Sequence, residues 1–287
     1  MERKILVLLG LIGLIGLSLI FGNPVDFSWW PFGKQKNQSV TSEGIDMIEM
    51  DISGVSTTII PKQREDIQAD LDGKGKLTVK RQGDKVNISV KQKWFGWLFH
   101  NKAKLNIYIP EDYDRNIVIN QGSGNLSFSG HSKNQPMKLD ELLLDVSSGN
   151  VKLKNISVQR FEHDSSSGNV DIDSLTAESG AFDIGSGNLK VRHYSGAIEA
   201  DLSSGNLSMQ MDELTGAVNI EVSSGGMDLN LPKGADFTLN GKTSSGNITC
   251  DFPLTNKKIE HKSIKGTHGS GEYPIDLNVS SGHINIY

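Results

Sequence analysis

The chain has 287 residues, 36% of them apolar, and a formal charge of -5, so it is long enough to bury a core and its charge balance is mild. A single cysteine excludes an internal disulfide, and neither CxxC nor any other metal-ligand spacing occurs. Thirty-one glycines against eight prolines suit a chain with many tight turns.

Residues 1–4 carry Arg3 and Lys4, and from Ile5 to Gly22 the only polar side chain is Ser18. Eighteen helical residues span about 27 Å, close to the roughly 30 Å hydrocarbon core of a bilayer, and Trp29 and Trp30 follow as interface anchors. A cleaved signal peptide would have a shorter apolar stretch and a small-x-small site, so residues 5–22 read as a retained transmembrane helix. The positive-inside rule places residues 1–4 in the cytoplasm and the rest outside. Residues 23–40, with two prolines, read as a tether.

Residues 41–110 alternate apolar and polar side chains, as in Ile48, Met50, Ile52 and Leu105, Ile107, Ile109. These are strands, expected to cap a larger β structure or to form irregular first turns of it, with a decayed corner at Ser53-Gly54. Lys74 to Lys104 holds nine basic residues against one acid, Asp84, and encloses Trp94-Phe95-Gly96-Trp97-Leu98-Phe99. Two readings stand. The aromatics pack on the cap beneath a solvated lysine face, or Lys91, Lys93, Trp94, Phe95, Trp97, Leu98, Phe99 and Lys102 touch the membrane surface or a wall polymer. Outside the membrane the polyanion to expect is lipid or wall polymer, not nucleic acid.

From residue 111 to 287 one phrase recurs. Ser-Gly-Asn and its variants centre on Gly124, Gly149, Gly168, Gly187, Gly205, Gly225, Gly246 and Gly282, and the steps from Gly149 to Gly246 are 19, 19, 18, 20 and 21 residues. The positions two and four after each glycine are apolar throughout, from Leu126 and Phe128 to Ile284 and Ile286. Each copy is therefore strand, corner, strand. Glycine suits a positive φ at the corner, and the asparagines, Asn125, Asn150, Asn169, Asn188, Asn206 and Asn247, would form an amide ladder if copies stack. Glycine-alanine pairs such as Gly180-Ala181 mark a second corner, and the longer remainder of each turn reads as a variable loop.

Polar columns indicate how copies face one another. Three after the glycine they read Lys152, Asp171, Lys190, and five after it Lys154, Asp173, Arg192, alternating in sign. Parallel in-register stacking would set opposite charges side by side, at roughly 0.2 to 1 kcal/mol per pair. The expected fold is all-β: a parallel β-solenoid behind an N-terminal β cap, preceded by one transmembrane helix.

Four before the glycines the column reads Asn120, Asp145, Asp164, Asp183, Asp201, Glu221, Lys242 and Asn278, with five consecutive carboxylates. At a spacing of about 4.8 Å they repel by roughly 1 kcal/mol per hydrated pair, so the strip is either a wet face that discourages sheet association or a row for divalent cations. Cys250 falls in an inward column and reads as a small core residue, and His163 also points inward. Gly241-Lys242-Thr243 lacks the rest of a P-loop, and no GxSxG elbow or HExxH occurs.

The apolar span, the β section ending in Leu105-Asn106-Ile107-Tyr108-Ile109-Pro110 and the serial Ser-Ser-Gly-Asn corners resemble the bacterial putative-adhesin family of unknown function. The resemblance implies a β-solenoid ectodomain at the cell membrane, associated with the envelope stress response, with envelope components or other membrane stress proteins as partners. It supplies no catalytic residue and no cofactor. The function expected is a non-enzymatic scaffold or binding surface; the alternative is a carbohydrate-active β-helix lyase or hydrolase acting on wall polymer, for which Asp171, Asp173 and the acidic strip are the candidate carboxylates.

Overall fold

Stacking turns of strand account for most of the described residues from Met47 onward. The computed structural model describes residues 36–91 and 103–287, and every regular element among them is a strand. Among these residues no helix is long and apolar enough to cross a membrane. The span expected at 5–22 lies outside them, as do Lys93, Trp94, Phe95, Trp97, Leu98, Phe99 and Lys102.

The N-terminal section comprises β1 (Lys36–Thr41), β2 (Met47–Lys62), β3 (Asp66–Asp72), β4 (Lys76–Gln82), β5 (Lys85–Lys91) and β6 (Lys104–Pro110). The central section comprises β7 (Asn116–Ser129), β8 (Met137–Val146), β9 (Asn150–Ser165), β10 (Asn169–Ile184), β11 (Asn188–Leu202), β12 (Asn206–Glu213), β13 (Val218–Val222) and β14 (Gly226–Asn230). The C-terminal section comprises β15 (Phe237–Thr243), β16 (Asn247–Cys250), β17 (Thr255–Glu260), β18 (Ser263–His268), β19 (Tyr273–Val279) and β20 (His283–Ile286).

Successive coils pair parallel and in register. Asp171 faces both Lys152 and Lys190, and Asp173 faces both Lys154 and Arg192. β2 belongs to this stack as its first coil, with Ser53 opposite Ser123 across the corner. Beyond β2, β5 and β6 add one parallel strand on each face, and β4, β3 and β1 close the end with antiparallel pairings.

Each central coil has three straight faces. In β9 the inside-outside alternation breaks twice, at Asn155-Ile156, both buried, and at Gln159-Arg160, both exposed. A break in a period-2 pattern is what a bend produces, because the side chains must stay inside while the chain changes direction. The first bend puts a non-glycine residue in the left-handed region in three consecutive coils: Asn155 (φ 54°), Ser174 (φ 63°) and His193 (φ 56°). The stretch expected as a variable loop is thus strand, since β10 runs unbroken from Asn169 to Ile184. Its inward column, Met137, Ile156, Leu175, Tyr194 and Met211, supplies the third wall of the core.

Glycine recurs at the Ser-Gly-Asn corner for a reason beyond φ. Positive φ is found at Gly124, Gly149 and Gly168 but not at Gly187, Gly205, Gly225, Gly246 or Gly282. At Gly187 a Cβ would lie 2.7 Å from the carbonyl oxygen of Gly168 in the coil before, and the same obstruction recurs along the column. The backbones of neighbouring corners are hydrogen bonded, as Asn188 N to Gly168 O at 2.9 Å, and leave no room for a side-chain carbon.

The last coils do not stack in chain order. β13 pairs with β19 and β14 with β20, so the Gly282 copy lies between those of Gly225 and Gly246. The β15–β16 coil is outermost, covered on one face by the β17–β18 hairpin and bare at β16, where Ile248 and Cys250 are only half-buried. Cys250 keeps its inward column without becoming a full core residue, and partial burial raises its thiol pKa.

Candidate functional site

The asparagines of the Ser-Gly-Asn corners build a groove as well as a corner. Asn150 donates its amide N–H to Asn125 (3.1 Å), Asn169 to Asn150 (3.3 Å), Asn188 to Asn169 (3.1 Å) and Asn206 to Asn188 (3.1 Å). Each amide bonded this way keeps a second N–H and a carbonyl lone pair for solvent or a ligand. The ladder stops at Gly226, where a side chain would collide with the ring of His283 from the next coil.

Two residues along, a second outward column reads Thr58, Ser127, Lys152, Asp171, Lys190, Ser208 and Asp228. Between the columns lies a groove of about 830 Å³, floored by the backbone of the apolar column that includes Val151, Val170 and Leu189. It crosses the coils from Ser56 to His283, seven steps of about 4.8 Å, or roughly 34 Å.

Charge in and beside the groove is only partly neutralised within the chain. Asp171 accepts from Arg192 at 2.7 Å, and Asp173 meets Lys154 at 3.5 Å. Among the described residues no carboxylate lies within 4.0 Å of the Lys152 or Lys190 ammonium. The register alternates in sign as expected; the Lys154–Asp173 contact runs directly across it, whereas the Arg192–Asp171 contact runs diagonally.

Residues 45–287 match the Toastrack DUF4097 family. The chain belongs to that family. A solved structure described as a putative adhesin from Bacteroides fragilis NCTC 9343 is 16% identical to this Toastrack chain, covering 88% of it and 97% of its own length, with a TM-score of 0.49. Another putative adhesin, from Parabacteroides distasonis ATCC 8503, is 11% identical, covering 89% and 98%, with a TM-score of 0.45. No curated protein sequence matches the chain.

The acidic strip of this Toastrack chain forms a continuous column. Asn120, Asp145, Asp164, Asp183, Asp201, Glu221 and Asn278 stand in register on a second face, and Lys242 ends the row. At its other end Asn120 donates to Asp51 at 2.8 Å. Partial burial, then Glu221, Asp183 and Glu199, raise the pKa of Asp201 above the usual carboxylate value. Among the described residues no cluster of three or more metal-ligating side chains occurs. Lys91 ends β5, exposed.

Sequence reasoning found the asparagine corners and the charge columns but assigned both to stacking. Their outward alternation held only part of the clue, since two polar columns on either side of an inward apolar column bound a channel only once the coils are stacked.

Proposed function

We propose that this protein is a non-enzymatic binding or scaffold surface, held at the outer face of the cell membrane by residues 5–22 and acting in the cell-envelope stress response. The groove carries this reading. A channel about 34 Å long, with repeated amides and two lysines that no carboxylate among the described residues pairs, on a hydrogen-bonded backbone, suits extended contact with a polymer better than chemistry at one point. The short anchor and the Trp94-Phe95-Gly96-Trp97 segment most resemble LiaG, a membrane protein of Gram-positive bacilli encoded beside a cell-envelope stress-sensing system, and that resemblance is the basis for placing it in envelope stress.

The test incubates the full chain with wall and membrane-lipid fractions. The expected result is retention without new reducing ends or unsaturated sugar, reduced in the Lys152→Glu/Lys190→Glu variant. Release of sugar ends would support the lyase or hydrolase instead. External protease on protoplasts should remove the repeats, and full protection would overturn the outward orientation.

A further inference from the structure

We propose that the β17–β18 hairpin docks a linear, phosphate-bearing polyanion of the cell envelope. In this hairpin Lys258 stands directly opposite Lys265, and Lys265 stands beside Asn240 of β15. Lys242, Lys258, Lys262 and Lys265 are all exposed and, with His261 and Ser263, surround a depression of about 630 Å³ whose one acidic side chain among the described residues is Glu260. Among the described residues no carboxylate lies within 4.0 Å of any of these four ammonium groups.

Like charges directly opposite across two strands destabilise the pair. A lysine on an edge strand discourages association with other sheets, and that explains Lys258. It does not explain Lys265, which lies on the inner strand of the hairpin, or Lys242, one strand further in. A ligand with closely spaced phosphates neutralises all of them at once.

The neighbouring coils narrow the class of ligand. The same outer face carries Asp145 through Glu221, which repels a polyanion along that face and leaves the end as its holding point there. A polymer segment fits a small concave end better than a flat surface does. β1, where the chain enters the domain, lies at the opposite end of the strand order. The choice of polymer over lipid headgroups therefore rests on the anchor at residues 5–22, whereas the lysine site does not.

The experiment places the full chain in zwitterionic nanodiscs and titrates inorganic polyphosphate. Binding should weaken as salt rises, and the Lys258→Gln/Lys265→Gln variant should lose about tenfold or more in affinity. Lys138→Gln, which removes an exposed lysine on β8, should change nothing. The double variant should unfold at the same or a higher temperature than the parent, so its weaker binding would not reflect unfolding. In a second arm, phosphatidylglycerol vesicles should bind less than polyphosphate. No polyphosphate binding, or equal loss in Lys138→Gln, would overturn the site, and vesicle binding abolished by the double variant would overturn the polymer in favour of lipid. Failure of the anchor itself appears separately in the protoplast protease test.

Discussion

Arg192 reaches across a coil boundary to Asp171, its guanidinium 2.7 Å from Oδ1, although the residue directly opposite Asp171 is Lys190. Asp171 is thus flanked by Lys152 and Lys190 and bonded diagonally to a third cation. Replacing Asp171 with Lys would set three lysines in a row and strand Arg192. With two like-charge pairs at roughly 0.2 to 1 kcal/mol each, Asp171→Lys should lower the urea midpoint, and adding Lys152→Asp and Lys190→Asp should restore much of it. A midpoint that does not move would deny the register.

Gly187 tests the close approach of the corners. Its φ lies outside the left-handed region, so any cost of Gly187→Ala comes from the Gly168 carbonyl and not from backbone strain. Overpacking of this kind costs about 1 to 3 kcal/mol. Gly234→Ala, where nothing among the described residues lies within 4 Å, should be neutral or slightly stabilising. Equal thermal midpoints for the two variants would count against stacked corners.

His163 is 1% exposed, and among the described residues neither ring nitrogen has a hydrogen-bond partner. Burial lowers its pKa from 6.5 to about 4, and the Leu144 backbone, outside hydrogen-bond geometry, opposes that only in part. The unfolded chain therefore takes up a proton here before the folded one does. Stability tied to His163 is complete above pH 6.5 and falls as pH drops toward 4, by on the order of 3 kcal/mol. His163→Leu should remove that slope and raise stability, because the neighbouring coils present Leu144 and Phe182 at this level. Parallel pH–stability curves for parent and variant would contradict the assignment.

Asp201 works in the opposite sense. Its folded pKa is raised, so its contribution is most favourable below its unfolded value of 3.8 and is lost as pH rises through the folded one. Asp201→Asn should stabilise the protein at neutral pH by some tenths of a kcal/mol, because the site is exposed and screened. Replacing Asp164, Asp183 and Asp201 together with Asn should preserve the fold. If the parent's thermal midpoint responds to calcium and the triple variant's does not, the strip binds cations; an unresponsive parent makes it a solvated face.

Much of this architecture was legible because a stacked fold writes the same burial demand at the same place in every turn. Val151, Val170 and Leu189 share one column and one environment, so the period and the register follow together. Where turns are interchangeable, that logic runs out. Nothing in the corner at Gly282 distinguishes a place before Gly246 from one after it, and the long excursion through the β17–β18 hairpin lets the chain return inside its own end. The bend at Asn155, Ser174 and His193 was hidden because three different side chains occupy one left-handed position. The groove was hidden because a channel belongs to no single repeat.

The groove, the acidic column and the lysine end all depend on Asn150 and Asn169 standing side by side in adjacent coils. In a Cys250→Ala background, Asn150→Cys paired with Asn169→Cys should form a disulfide on mild oxidation, since directly opposed residues lie about 4.8 Å apart, within bridging range. Asn150→Cys paired with Asp171→Cys, on the same face but two residues along and about 7 to 8 Å away, should not. Crosslinking of the second pair in preference to the first, or of neither, would contradict the stack.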